Sequence, residues 1–160
     1  MKADELTNYL LPELRRMVAA NAQTGAVLRT MASKATDPVL KATLQTQVDI
    51  TDGEKRLVEW LLAEPGQDNT GTSSRPVEVM AYVFVIASTE KDDQLRDLEL
   101  ATVATQLQSF HLAAWFGVAA WLRVLQLHDE ADTVDRITSA LRKLERELER
   151  GARAAEIASA

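Results

Sequence analysis

Apolar residues in the last part of the chain recur in alternating steps of three and four, and this spacing restricts the fold more than any other feature. The set consists of Val134, Ile137, Leu141, Leu144 and Leu148. Such spacing places the side chains on one face of an α-helix, as a seam that packs against neighbouring helices. The alternation that predicts β-strands never persists elsewhere, and Ala, Leu, Glu, Gln and Arg are abundant. The sequence therefore predicts an all-α protein.

Similar periodicity, together with the positions of proline and glycine, divides the chain into five predicted helices. They cover residues 4–33, 38–64, 76–89, 93–127 and 130–155. Asp37 is the predicted N-cap of the second helix, and Pro38 follows at its first position, where a missing N–H is harmless. Residues 65–75, PGQDNTGTSSR, form a polar crossover loop rich in turn-forming residues. Four long helices, with a short helix in the crossover, predict a four-helix bundle built as one domain over residues 1–160.

Composition and charge exclude several classes of partner and chemistry. The chain has 18 Lys and Arg against 24 Asp and Glu, a net charge of -6, so it offers no general attraction to nucleic acid. It contains no cysteine, which excludes a disulfide framework, thiolate catalysis and cysteine-ligated metals. We expect no nucleic-acid partner.

The same sequence predicts a protein that is not inserted in a membrane. The opening MKADELTNYLLPEL places acidic residues where a signal peptide needs a basic segment followed by an unbroken apolar core. The two most apolar stretches, residues 79–87 and 112–122, are shorter than the roughly 18 to 20 residues of a membrane-spanning helix. We therefore expect no membrane association and a cytoplasmic location.

Polar residues interrupt the apolar stripe near the middle of each long predicted helix. The predicted inner polar layer consists of Asn21, Gln47, Thr51, Gln108, His111 and Ser139, with Thr24 beside it. Burial without partners would cost about 1 to 3 kcal/mol for each group, so these side chains are expected to bond to one another or to internal water. Phe110 and Trp115 flank His111 and could line an apolar ligand pocket, although aromatic residues at helical spacing are more often ordinary core.

Several segments resemble the YciE/YciF-type ferritin-like family, whose function is poorly defined. The resemblance rests on DPVLKATL, on TDGEKRLVEWL, on DDQLRDLELATVATQLQSFHLAAW and on the short crossover helix. It implies a ferritin-like bundle in which carboxylates and histidines from the four long helices form a di-iron type centre.

The ligand positions implied by this resemblance are largely substituted. Asn21 stands where the family has a glutamate on the first helix, Gln47 where it has a histidine, and Gln108 where it has another glutamate. The acidic run of the last helix corresponds to residues near Ser139. Amides and hydroxyls bring no charge to offset the dehydration of two metal ions. We therefore expect no metal cofactor, with His111 and Asp49 as the fallback ligands of an iron or manganese site.

These residues and the family resemblance together leave three classes of function. The favoured one is a non-catalytic, metal-free structural or interaction protein with a stress-related role, assembled as a homodimer or a larger homo-oligomer. Exposed apolar candidates for such contacts lie in the crossover helix: Val79, Tyr82, Val83 and Ile86. The alternatives are a metal-dependent oxidase or peroxidase and a carrier of a small apolar molecule in the bundle interior.

Overall fold

Five helices make up the regular structure in the part of the chain that the structure describes. The computed structural model describes residues 3–62 and 75–158. The helices are α1 (Ala3–Lys34), α2 (Pro38–Leu61), α3 (Arg75–Ala87), α4 (Asp93–Val124) and α5 (His128–Ala158). No strand occurs in these two ranges. The all-α prediction is confirmed, and most of the predicted crossover loop, residues 65–74, lies outside the described residues.

Aspartates begin two of the long helices. The side chain of Asp37 accepts a hydrogen bond from the backbone N–H of Leu40 at 2.7 Å, and Pro38 occupies the first turn of α2 as predicted. Asp92 repeats this arrangement for α4, where it accepts from Leu95 N at 2.9 Å. Each carboxylate satisfies a backbone donor that has no partner within the helix.

The long helices pack as two hairpins. α1 lies against α2 and α4 lies against α5, while α2 also touches α5, α1 touches α4, and α3 covers α1 and α4. Two clusters of apolar side chains fill the interior. One contains Leu28, Met31, Leu44, Val48, Leu100 and Leu107, and the other contains Leu14, Met17, Val58, Trp115, Val118 and Leu141. The polar residues of α1, α2 and α4 fall between these two clusters along each helix.

None of the helices within the described ranges is both long enough and apolar enough to cross a lipid bilayer.

Asp97, near the start of α4, anchors this helix to the turn between α1 and α2. Its carboxylate accepts from the backbone N–H of Thr36 at 3.0 Å, from the Thr36 hydroxyl at 2.6 Å and from the backbone N–H of Asp37 at 2.7 Å. The Asp97 side chain is buried. Because α4 begins beside this turn, it runs antiparallel to α1 and parallel to α2.

Replacement of Asp97 by alanine is expected to destabilise the fold by about 1 to 3 kcal/mol, because two backbone donors would lose their acceptor. Urea unfolding followed by circular dichroism measures this loss. Asp93→Ala serves as the control, since Asp93 is exposed and pairs with Arg96, and exposed ion pairs contribute about 0 to 1 kcal/mol. Equal losses in the two variants would contradict the anchoring role of Asp97.

Candidate functional site

A carboxylate lies in the middle of the bundle, where the sequence had suggested only neutral groups and one imidazole. Glu54 of α2 is 1% exposed. Its Oε1 accepts a hydrogen bond from the indole Nε1 of Trp115 at 2.6 Å, and its Oε2 lies 2.9 Å from His111 Nδ1. A carboxylate only accepts hydrogen bonds, so the Nδ1 proton of His111 points to Glu54. Both oxygens of the buried acid therefore receive donors from α4.

His111 connects this carboxylate to a third helix. Its Nε2 lies 3.0 Å from the hydroxyl oxygen of Thr24 in α1. Both His111 and Thr24 are buried. A hydroxyl can donate to a neutral imidazole or accept from a protonated one, so this contact satisfies the ring in either state. Trp115, Glu54, His111 and Thr24 are thus joined in one chain of contacts, which links α4 and α2 to α1.

A pair of amides lies beside this cluster. Gln47 Nε2 donates to Gln108 Oε1 at 2.9 Å and to the Ala104 carbonyl at 3.3 Å, and both glutamines are buried. Three buried polar atoms of the predicted layer have no partner among the described residues: Asn21 Nδ2, Gln47 Oε1 and Gln108 Nε2. The amide pair is thus only half satisfied, in contrast to Glu54.

Thr24, His111 and Glu54 occur in the order hydroxyl, imidazole, carboxylate, which is also the order of a nucleophilic triad. In such a triad the hydroxyl must reach an acyl carbon from an open site. The Thr24 side chain has no exposed surface in this protein. The arrangement therefore holds helices together without presenting a nucleophile to a substrate.

The structure places five of the six predicted layer residues in the interior. Asn21, Gln47, Thr51, Gln108 and His111 are all buried. The prediction for Ser139 is wrong, because this residue is exposed on α5. It lies two residues before the buried Leu141, and two residues correspond to about 200° around a helix.

Asp49 does not join His111, so the fallback metal pair is also wrong. Asp49 is exposed on α2 and accepts a hydrogen bond from Gln45 at 3.2 Å. The acid that meets His111 is Glu54, five residues further along. The sequence does contain a signal that Glu54 is buried. One face of α2 carries residues in steps of three and four, namely Leu44, Gln47, Thr51, Glu54 and Val58.

Phe110 and Trp115, the predicted pocket residues, pack in different apolar clusters. Phe110 is half-buried and lies against the cluster that contains Leu107, whereas Trp115 belongs to the cluster that contains Val118. Trp115 is fully buried, and its N–H is bound to Glu54. The two aromatic side chains thus contribute to two separate parts of the core.

The residues of this site do not fit the di-iron centre that the family resemblance implied. Such a centre requires several anionic oxygens and usually two imidazoles, and the interior cluster supplies Glu54 and His111 only. Across residues 3–62 and 75–158, no three or more His, Cys, Asp or Glu side chains are grouped closely enough to hold a metal ion. Trp115 N–H also occupies a lone pair of Glu54 Oε1.

Replacement of Glu54 by glutamine is expected to destabilise the protein by about 1 to 3 kcal/mol, because the amide N–H₂ would face a donor of Trp115 or His111. Urea unfolding followed by tryptophan fluorescence measures the change. Glu59→Gln is a matched control on the same helix, where Glu59 is exposed and pairs with Lys55. An equally small effect of both substitutions would show that the Glu54 contacts contribute little.

The amide pair generates a double-mutant prediction. Gln47→Leu or Gln108→Leu alone is expected to cost about 1 to 3 kcal/mol, because each leaves the other amide buried without its partner. The double variant should be more stable than either single one, since replacing both partners by apolar groups of similar size is nearly neutral. Unfolding free energies of the four proteins test this, and additive losses would contradict the pairing.

Comparisons with known proteins agree with this architecture. The chain superposes on the crystal structure of the E. coli stress protein YciF with a TM-score of 0.85 at 13% sequence identity, covering 94% of this chain and 96% of that one. It also superposes on YcfI from Rhodopseudomonas palustris, described as a proposed structural protein, with a TM-score of 0.81 at 18% identity, covering 90% and 92%. At these identities the likeness shows the fold.

No curated protein sequence matches this chain. Residues 5–158 match the family model described as a domain of unknown function, DUF892. This match spans nearly the entire chain, and the predicted resemblance to YciF-type proteins is confirmed. The protein therefore belongs to the DUF892 family.

Proposed function

We propose that this protein is a non-catalytic, metal-free bundle of ferritin-like type that acts as a structural or interaction protein and associates with itself. The observation that carries the proposal is that both carboxylate oxygens of Glu54 have hydrogen-bond donors within the protein. Trp115 and His111 supply donors to both carboxylate oxygens, at 2.6 and 2.9 Å. A buried charge requires partners of this kind. These contacts therefore stabilise the buried Glu54 as part of the fold, without a metal ion.

The neighbouring amides support the same conclusion. Gln47 and Gln108 are joined by a direct hydrogen bond of 2.9 Å in the interior. A pair of carboxylates at these positions would repel each other unless a cation lay between them. The neutral pair requires no cation, so this part of the bundle is compatible with stability in the absence of metal.

The exterior supports a role in interaction. Large apolar side chains are exposed on α3, including Val79, Tyr82 and Val83, and also on α4, where Phe116 is exposed. The side chain of Ile86, the fourth predicted contact residue of α3, lies outside the described set. Clustered exposed apolar groups are typical of protein interaction surfaces. The proposal therefore includes a homodimer or a larger homo-oligomer.

We propose that the chain folds as a single domain. We also propose that it functions in the cytoplasm, under stress. The absence of cysteine in 160 residues is compatible with a reducing compartment. The stress role is supported by the shared fold with the E. coli stress protein YciF.

Metal analysis of the purified protein tests the proposal against its main alternative, a metal-dependent oxidase or peroxidase. That alternative would have to use Glu54 and His111, since both side chains are common metal ligands and lie in contact in the interior. Protein expressed with added iron or manganese is expected to contain well below one ion per chain by mass spectrometry. Mixing the apoprotein with Fe(II) and oxygen should give no oxidation faster than a buffer control.

The variants His111→Ala and His128→Ala make the result interpretable. His128 is exposed at the start of α5 and contacts Gln126, so its loss controls for surface binding. Stoichiometric metal in the wild-type protein that is lost in His111→Ala but kept in His128→Ala would contradict the proposal. Circular dichroism of both variants confirms that they are folded.

A further inference from the structure

The exposed side of α5 carries charges that are separated by sign. Among the exposed residues of 129–136, three are acids and one is a base, whereas 142–150 expose four bases and one acid. Asp132, Ser139 and Arg146 follow one another at intervals of seven residues, or about two turns, along the side opposite the buried Leu141. We call this exposed side, from Asp132 to Arg146, the α5 outer face. One half of it is negative and the other half is positive.

The helix itself accounts for only part of this pattern. Acids in the first turn of α5 are favoured by the partial positive charge of a helix N-terminus, but no base lies in the last turn, where the opposite effect acts. Arg142, Lys143 and Arg146 lie about three to four turns before the end of α5 at Ala158. Their side chains form no ion pair with any residue that the structure describes, and the same holds for Asp132.

A second copy of α5, running antiparallel to the first, presents opposite charges to this face. A two-fold axis at Ser139 brings together residues that lie on the same flank of the helix and equally far from Ser139 in opposite directions. Asp132 of one copy then lies opposite Arg146 of the other, along the centre of the face. On one flank, Asp135 lies opposite Arg142. Symmetry forms each of these contacts twice.

We propose that the α5 outer face is a homodimer contact, in which two antiparallel α5 helices pair through Asp132 with Arg146 and through Asp135 with Arg142. A two-fold contact requires a surface that is complementary to itself, and the separated charges supply this property. Complementary charges determine which surfaces meet and in what register. The inference rests on the self-association proposed above and adds the face and the charges that mediate it.

The nature of these contacts predicts a weak dimer that depends on salt. Exposed ion pairs contribute little individually, and Asp135 already pairs with Arg123 of its own chain. On the other flank, Arg136 would lie opposite Lys143, and these like charges oppose association. At about 0.1 M salt the screening length is about 10 Å, so contact pairs persist, whereas at about 1 M it is about 3 Å. We therefore expect dissociation on dilution and at high salt.

Sedimentation velocity over a dilution series tests the contact with two charge reversals. Arg146→Glu and Asp132→Arg are each expected to raise the dimer dissociation constant about 10-fold at about 0.1 M salt, because each makes two attractive contacts repulsive. An equimolar mixture of the two variants, one of them labelled with a fluorophore, should form a heterodimer about as tightly as the wild-type protein dimerises. In the mixed pair both contacts between positions 132 and 146 again join opposite charges.

Lys143→Glu is the matched control for Arg146→Glu. It causes the same change in net charge, lies three residues away on the same helix and is equally exposed to solvent by class. Because it replaces the like-charged contact with Arg136 by an attractive one, it should lower the dissociation constant. Circular dichroism of all three variants confirms that they are folded.

Three outcomes would overturn the inference. Equal weakening by Arg146→Glu and Lys143→Glu, or a mixture that forms no heterodimer, would show that the charges do not pair in this register. A dimer that is insensitive to salt and to every α5 variant would assign the contact to another face, and the proposed self-association would stand. A wild-type protein that stays monomeric at every concentration would contradict both the α5 contact and the self-association on which it rests.

Discussion

The interior of this protein depends on how one buried carboxylate is satisfied. Glu54 is removed from water between two apolar clusters, and an ionised acid in such a place is strongly destabilising unless donors reach it. Trp115 and His111, one helical turn apart on α4, supply those donors, and His111 in turn contacts Thr24 on α1. The axial positions of three helices are therefore coupled through four side chains, because a shift along any of these helices would break at least one of these contacts.

A second anchor at the end of the bundle complements this central one. Asp97 ties the start of α4 to the turn between α1 and α2, about four turns of helix from His111. Two polar fixed points along one helix define its register better than apolar packing alone, since apolar contacts are not directional. The amide pair of Gln47 and Gln108 lies between them and adds a direct link from α2 to α4. The contacts of Glu54, Asp97 and the amide pair thus connect α4 to α1 and α2 at three levels of the bundle.

Much of this architecture was predictable from local sequence, and the failures have a common physical cause. Asp37 and Pro38 indicate the start of α2 because capping depends on adjacent residues. Asp49 and Ser139 were misplaced because each lies two positions from a buried residue, on the opposite side of its helix. Glu54 was missed because a glutamate is ordinarily exposed, and its partners Trp115 and His111 are about 60 residues away in sequence. The spacing of α2 places Glu54 on the buried stripe, but only the packing of α2 against the rest of the bundle supplies the donors that satisfy this acid.

The central claim is that Glu54 and His111 are occupied by contacts within the protein and not by a metal. The most direct test is a titration with Mn²⁺, a paramagnetic ion, monitored through the indole ¹H–¹⁵N signals of the three tryptophans in nuclear magnetic resonance spectra. Trp115 donates to Glu54, while Trp60 is exposed and Trp121 is half-buried, so the latter two serve as internal references. The account predicts that the Trp115 signal keeps its width and position as Mn²⁺ is added. Loss of the Trp115 signal near one equivalent, before the signals of Trp60 and Trp121 change, would contradict it.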